Sequence, residues 1–428
     1  MEEKNERITC LRRAMKESNV TYVLIPTGDC HQSEYVSDYF KVREYFSHFH
    51  GSAGTLLIGM EDAFLWTDGR YFLQADKELK GTGITLMKAG IPGTPKLSEF
   101  LNERLRQNDH IGVDDSLISY GEFCKFPEKV RQSLVPFDAG AFWVNRPPLP
   151  CNPAFVLPKE IRGQEAADKC DLILNDLMEK EHCDATFVSK LDDIMWCTNL
   201  RGSDVDYNPV CLSYLFLSRE KKILFIQKKA LNPEVSRYLT ENGILTADYE
   251  ETESCLKELS YECLYVDTDY TSLKTMRLLQ SVNARVAGKP GSCITDRKSC
   301  KSEQEIACSK KAYLLDSAVL TTFLCQCKTK TLPEGVIKDE LGYARYLDEL
   351  RSRIPGYLSL SFSTISAWGK NGAVIHYDPE NDIPAKITTG DFYLVDSGGQ
   401  YLGGTTDVTR TIAIGEVDDF RKHAYTLV

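Results

Sequence analysis

The sequence predicts a chain of mixed class: two consecutive α/β domains, then a region in which helices precede an antiparallel sheet, α/β plus α+β in sum. Three observations lead there. Apolar runs of strand length alternate with amphipathic helical stretches over roughly the first 300 residues. A proline-dense stretch, Arg146-Pro-Pro-Leu-Pro-Cys-Asn-Pro153, interrupts that alternation once. Beyond Lys301 the order changes, with long helical patterns first and β-rich patterns after.

The first segment opens with a helix pattern through Leu11 and Met15, followed by a strand at Tyr22–Ile25. Further strands are predicted at Thr55–Ile58, Ala63–Trp66 and Ile111–Val113. The proline stretch that follows cannot sustain a helix or a ladder and reads as a stiff linker. The second segment has a helix over Glu165–Lys180 and strands at Ala185–Ser189, Tyr214–Leu217, Ile223–Ile226 and Leu264–Val266. Late in each segment an apolar strand ends in aspartate, Ile111-Gly-Val-Asp114 and Leu264-Tyr-Val-Asp267, an echo that suggests related domains. The third segment carries helices over Glu303–Leu324 and Asp339–Leu350. Strands follow around Ile365, at Val374-Ile375, Phe392–Val395 and Thr409–Ile414. The expected boundaries are 1–145, a linker at 146–158, then 159–297 and 298–428.

Composition narrows the class. The chain has 428 residues, 42% hydrophobic and 26% charged, ample for a globular core. A net charge of −11 argues against nucleic acid, whose binders present a basic face. The charged start, MEEKNERITC, has no apolar core of a signal peptide, and no run reaches the roughly 18 apolar residues of a membrane span. A cytoplasmic location is the expectation. The 15 cysteines form no CxxC pair, and in a reducing compartment most are expected to be buried apolar residues.

The stretch 391–412, DFYLVDSGGQYLGGTTDVTRTI, is the most informative. Apolar-flanked runs around Gly-rich turn chemistry predict a β-hairpin. The midpoint between Asp396 and Asp407 falls between Tyr401 and Leu402, so folding there would set the two carboxylates opposite each other. Facing carboxylates repel unless a cation sits between them, and a hard divalent ion is the usual answer. Aspartates also flank turns for purely local reasons, so the pair alone leaves both readings open.

The whole string VDSGGQYLGGTTDVTRT resembles the first metal-ligand segment of the "pita-bread" metallopeptidases, peptidase family M24. SEYVSDYF (33–40), GSAGT (51–55), WTDGRYFLQA (66–75), the linker NRPPLPCNP and KLDDIMWCTNLRGSDV (190–205) are similar to the creatinase-like N-terminal domains and linker of its three-domain aminopeptidase P branch. The resemblance implies two creatinase-like α/β domains followed by the first part of a pita-bread catalytic domain, with the chain stopping inside that domain. It implies a metal-dependent Xaa-Pro aminopeptidase. Such an enzyme removes the residue ahead of proline by attack of a metal-bridging hydroxide. The alternatives are a catalytically silent binding or subunit-pairing protein and a prolidase-type dipeptidase.

The resemblance also assigns residues. Asp396 and Asp407 are expected to hold two divalent ions, Mn²⁺ first and Zn²⁺ or Co²⁺ as alternatives, with the remaining His and Glu ligands expected beyond Val428. His376, in GAVIHY at the end of an apolar strand, is expected beside the substrate and outside the ligand set. Phe362, in SFSTIS, is the expected apolar contact for proline. Thr409 is expected to orient a ligand carboxylate, and Arg410 to pair with carboxylates nearby. His423 and Glu416 are not expected to bind metal. Asp68 with Arg70, GSAGT, and Arg201 with Asp204 are read as structural. The implied partners are peptides beginning Xaa-Pro and a second copy of the chain, with no nucleic acid and no membrane.

Overall fold

A computed structural model describes residues 2–282 and 285–428. The chain divides into two compact units, Met1–Val156 with Gln164–Asp206 and Val210–Cys300, and Leu157–Gly163 with Tyr207–Pro209 and Lys301–Val428.

The first unit holds two six-stranded mixed sheets. The first contains β1 (Tyr22–Pro26), β2 (Thr55–Gly59), β3 (Ala63–Thr67), β4 (Thr85–Lys88), β5 (Ile111–Val113) and β6 (Leu134–Pro136), in the order β4-β3-β2-β1-β5-β6. A short pair, β7 (Phe155–Val156) with β9 (Leu200–Arg201), brackets β8 (Ala185–Val188) in sequence. The second sheet adds β10 (Ser213–Ser218), β11 (Lys222–Ile226), β12 (Leu245–Ala247), β13 (Cys263–Asp267) and β14 (Arg285–Lys289), ordered β12-β11-β10-β8-β13-β14. The strand directions match position by position: β1 and β8 are each antiparallel to one neighbour and parallel to the other. The central strands are buried on both faces, which is why they read as continuous apolar runs.

The echoed aspartates occupy equivalent positions. Asp114 follows β5 and Asp267 closes β13. The loops after them meet through a bridge between Ser119 and Ser272. Tyr120 N donates to Thr271 O and Leu273 N to Ile118 O, both at 2.8 Å. These are one bond seen from each side of a local pseudo-dyad. Ser119 and Ser272 also cap equivalent helices, Tyr120–Lys125 and Leu273–Ser281, by accepting from Glu122 N and Thr275 N.

The motifs expected to be structural in this unit make local contacts. Asp68 and Arg70 form an exposed ion pair at 2.8 Å. Asp204 accepts from Asn152 N and Leu212 N, and Arg201 donates to Met195 O and Leu200 O. GSAGT needs its first glycine, because a Cβ at Gly51 would meet Phe49 and Tyr71 inside 3 Å. All 15 cysteines are free thiols, but only seven are buried, so the expectation of mostly buried thiols is too strong.

One pH effect resides here. His50 lies between Glu78 (3.5 Å) and Glu44 (3.7 Å). Its hydrogen bond to Glu78 outweighs burial and raises its pKa above the ordinary value of 6.5. A raised folded-state pKa stabilises fully below the unfolded value near 6.5, and that stability is lost as pH rises through the folded value. His50→Gln is therefore expected to flatten the pH dependence of unfolding in that window. The effect should stay below about 1 kcal/mol because the imidazole is half exposed. Denaturant midpoints followed through Trp66 and Trp143 from pH 5 to 9 measure it.

The second unit is the α+β region. Its first helix, Glu303–Thr329, starts at a capping box: Ser302 Oγ accepts from Glu305 N while the Glu305 carboxylate accepts from Ser302 N. Ala312, Asp316, Leu320, Phe323 and Cys327 recur at helical spacing and form its buried stripe. A second helix, Glu340–Ser352, is capped by Asp339 and buries Tyr343, Ala344 and Leu347. They pack on Tyr393, Val395 and Ile414, with Phe323, Tyr343 and Tyr393 in edge-to-face contact.

Candidate metal centre

The β part of the second unit is built from β15 (Tyr357–Leu360), β16 (Ile365–Trp368), β17 (Asp391–Ser397), β18 (Gly399–Tyr401), β19 (Gly404–Thr405) and β20 (Val408–Ile414). They form two three-stranded sheets, β15-β18-β19 and β16-β17-β20. One long hairpin runs through both. Its proximal half is β17 with β20, its distal half is β18 with β19, and Gly398 and Thr406-Asp407 form the joint.

The predicted hairpin is present, but its register differs from the expectation. Tyr401 pairs with Gly404, so the turn is Leu402-Gly403. Asp396 then faces Thr409, and Asp407 lies two residues short of that position. The two aspartates are diagonal neighbours on one face rather than directly opposed. The physical reason is the tight two-residue turn, which counting midway between two aspartates cannot anticipate. Thr409 stands across from Asp396 in the ladder.

Burial alternates along β17, with Tyr393, Val395 and Ser397 inside. Asp396 is half-buried on the other face, and its Oδ1 is enclosed with no hydrogen-bond partner. Asp407 is exposed at the joint, and its carboxyl is held above the usual carboxylate range by burial and then by the charge of Asp396. An enclosed, unsatisfied carboxylate oxygen beside a second carboxylate that resists ionisation is a hard-oxygen donor pair suited to a divalent cation. Among the described residues no group of three or more His, Cys, Asp and Glu side chains is placed to hold a metal.

The joint itself is crowded. Thr406 N donates to Gly399 O and Gly399 N to Thr406 Oγ1, both at 2.9 Å, while Ser361 Oγ donates to Thr406 O at 2.8 Å. A Cβ at Gly398 would lie 1.9 Å from Thr406 O.

The predicted strand at Val374-Ile375 is absent. Residues Gly369–Ala373 form a 3₁₀ helix after β16 and the chain turns at 374–376, leaving Ile375 58% exposed. His376 is therefore a half-buried turn residue and does not end a strand. Glycines at 369 and 372 explain the difference, since short apolar runs flanked by Gly serve turns as well as strands. Phe362 is half-buried in the bend between β15 and β16. Arg410 departs from its expected role: among the described residues it pairs with no carboxylate, and its Nη1 donates to Thr409 O at 2.7 Å. His423 is exposed on the helix Asp419–Leu427.

Known proteins share this arrangement. Residues 7–144 and 145–305 each match the Creatinase/Prolidase N-terminal domain, and residues 307–428 match metallopeptidase family M24. The fold class is thus two creatinase-type α/β domains followed by a pita-bread portion. A probable Xaa-Pro aminopeptidase P of Metarhizium acridum is 35% identical over 100% of this chain and 72% of its own length. The Xaa-Pro aminopeptidase ApepP of Drosophila melanogaster is 35% identical over 98% of this chain and 70% of its own. Among solved structures, the X-prolyl aminopeptidase of Caenorhabditis elegans, described as a cytosolic enzyme with a di-nuclear active site, superposes with a TM-score of 0.89. It shares 30% identity, over 97% of this chain and 71% of that one. The chain belongs to the Xaa-Pro aminopeptidase P family of M24 metallopeptidases.

Proposed function

We propose that this protein serves the hydrolysis of peptides that carry proline in the second position, releasing the residue ahead of it. Asp396 and Asp407 are the carboxylates that hold divalent metal, with Mn²⁺ the first candidate. The observation that carries the reading is the enclosed, unpartnered Asp396 Oδ1 beside a carboxyl whose ionisation its own charge opposes. Bound ions would supply Lewis-acid polarisation of the carbonyl that precedes proline. His376 moves a proton at the imino nitrogen of the leaving group. Phe362 offers an apolar surface to the pyrrolidine ring, and Thr409 steadies the Asp396 carboxylate from across the ladder.

The test is a Mn²⁺ titration of the full chain followed by electron paramagnetic resonance, beside Asp396→Asn and Asp407→Asn. Each substitution is expected to weaken Mn²⁺ binding at least about tenfold, because a ligating charge is lost. Unchanged binding in both variants would reject the site. Hydrolysis of an Xaa-Pro tripeptide compared with an Xaa-Pro dipeptide then separates an aminopeptidase from a dipeptidase.

A further inference from the structure

We propose that Glu340 is the positioning residue for His376: its buried carboxylate closes the loop of residues 369–384 and fixes the turn that presents the histidine. The proposal rests on the reading of His376 as the substrate-side histidine. Glu340 is the first residue of the helix Glu340–Ser352 and is completely buried. Four residues donate to its carboxylate. Trp368 N reaches Oε1 at 2.6 Å, and Asn371 Nδ2 reaches both oxygens at 3.0 Å. Tyr377 Oη and Ala385 N each reach Oε2 at 2.7 Å. Trp368 and Ala385 flank the loop on either side. Asn371 and Tyr377 lie inside it, and Tyr377 directly follows His376. One carboxylate therefore gathers both ends and the middle of the loop.

The main chain of Glu340 joins the same clamp. Its N–H donates to Ala385 O at 3.1 Å, and its carbonyl accepts from Ser366 Oγ at 2.6 Å. Among the described residues Glu340 makes no ion pair, so donors and the helix N-terminus alone stabilise its charge. The chemistry is specific to a carboxylate. Every partner donates in this arrangement, and an acceptor-only group satisfies all of them. A glutamine of the same shape would set an NH₂ against donors, so Glu340→Gln changes the hydrogen bonding while preserving packing.

Histidine NMR and amide hydrogen exchange of the full chain test this, with His376→Gln assigning the His376 resonance among the seven histidines. In Glu340→Gln, exchange of the Trp368 and Ala385 amides is expected to quicken roughly 10- to 100-fold, as for loss of charge-assisted hydrogen bonds. The His376 resonance should shift and its titration midpoint move, with circular dichroism unchanged. Wild-type exchange and an unmoved His376 resonance would overturn the proposal. Should Glu340→Gln fail to fold, Tyr377→Phe removes a single arm of the clamp. It is expected to shift the His376 resonance in the same direction by less, and an unmoved resonance there also overturns it. The role of His376 is separable. If His376→Gln retains Xaa-Pro hydrolysis while Glu340→Gln releases the loop, the histidine leaves the reaction and the clamp stands.

Discussion

Arg351→Ala is expected to destabilise the second unit by about 3–5 kcal/mol, the usual result of stripping one partner from a buried ion pair. Arg351 and Asp316 are both fully buried. The guanidinium Nε donates to Asp316 Oδ1 at 2.6 Å and Nη2 to Oδ2 at 3.3 Å. The Tyr401 hydroxyl donates to the same Oδ1 at 2.7 Å. Alanine would leave the Asp316 carboxylate enclosed with only a phenol as partner. It would also loosen three elements at once, since Asp316, Arg351 and Tyr401 lie on the two long helices and β18. Trp368 is the sole tryptophan of this unit, so its fluorescence in a urea titration reports the loss. The paired replacement Asp316→Leu with Arg351→Met is the control. It removes both charges but also the acceptor of the Tyr401 hydroxyl, so a cost of about 1–3 kcal/mol, smaller than that of the single variant, is expected. Equal losses in the single and double variants would show that side-chain volume, and not the uncompensated charge, sets the effect.

Gly398→Ala is expected to have the second-largest effect and to reach the metal site. The added methyl would sit 1.9 Å from the Thr406 carbonyl oxygen and 2.4 Å from Ser361 Oγ. The serine can rotate, but the carbonyl is main chain on the opposing side of the joint, so the backbone must part. Overpacking of this kind costs about 1–3 kcal/mol, and a clash with main chain lies at the upper end. The strands would part where Asp396 and Asp407 are held on one face. Weaker Mn²⁺ binding should therefore accompany the stability loss. Gly403→Ala is the contrast, because its nearest neighbour is the Cβ of Cys308, at 2.8 Å, on the adjacent helix. A Gly398→Ala chain with wild-type stability and Mn²⁺ affinity would reject the joint as a constraint on the site.

Much of this was legible because the signals are local. Strands buried on both faces announce themselves as apolar runs, as Leu56–Ile58 and Leu215–Leu217 do. The helix at Glu303 carries its own capping box. The hairpin followed from Gly-rich turn chemistry between apolar stretches. Its register did not, because the turn is decided by which two residues close it, and Leu402-Gly403 has no Asn-Gly or Asp-Gly signature. The strand expected at Val374-Ile375 failed because three apolar residues satisfy a turn as readily as a ladder. Arg410 was expected to pair with nearby carboxylates, but a neighbouring carbonyl meets its donor. Glu340 left no trace in the sequence: an acid in the first turn of a helix is ordinary, and its partners lie 28 to 45 positions further on.

The paired loops at Ser119 and Ser272 give the first unit an internal symmetry. An interface in which a residue meets its own counterpart across a two-fold axis belongs to homodimers. Here it lies inside one polypeptide, with each half repeating the same strand order and the same serine-capped helix after its next-to-last strand. The geometry is that of a two-fold contact between two like units joined end to end. The two backbone bonds are alike although Ile118 and Tyr120 on one side stand where Thr271 and Leu273 stand on the other, so main chain and not side chain carries the contact.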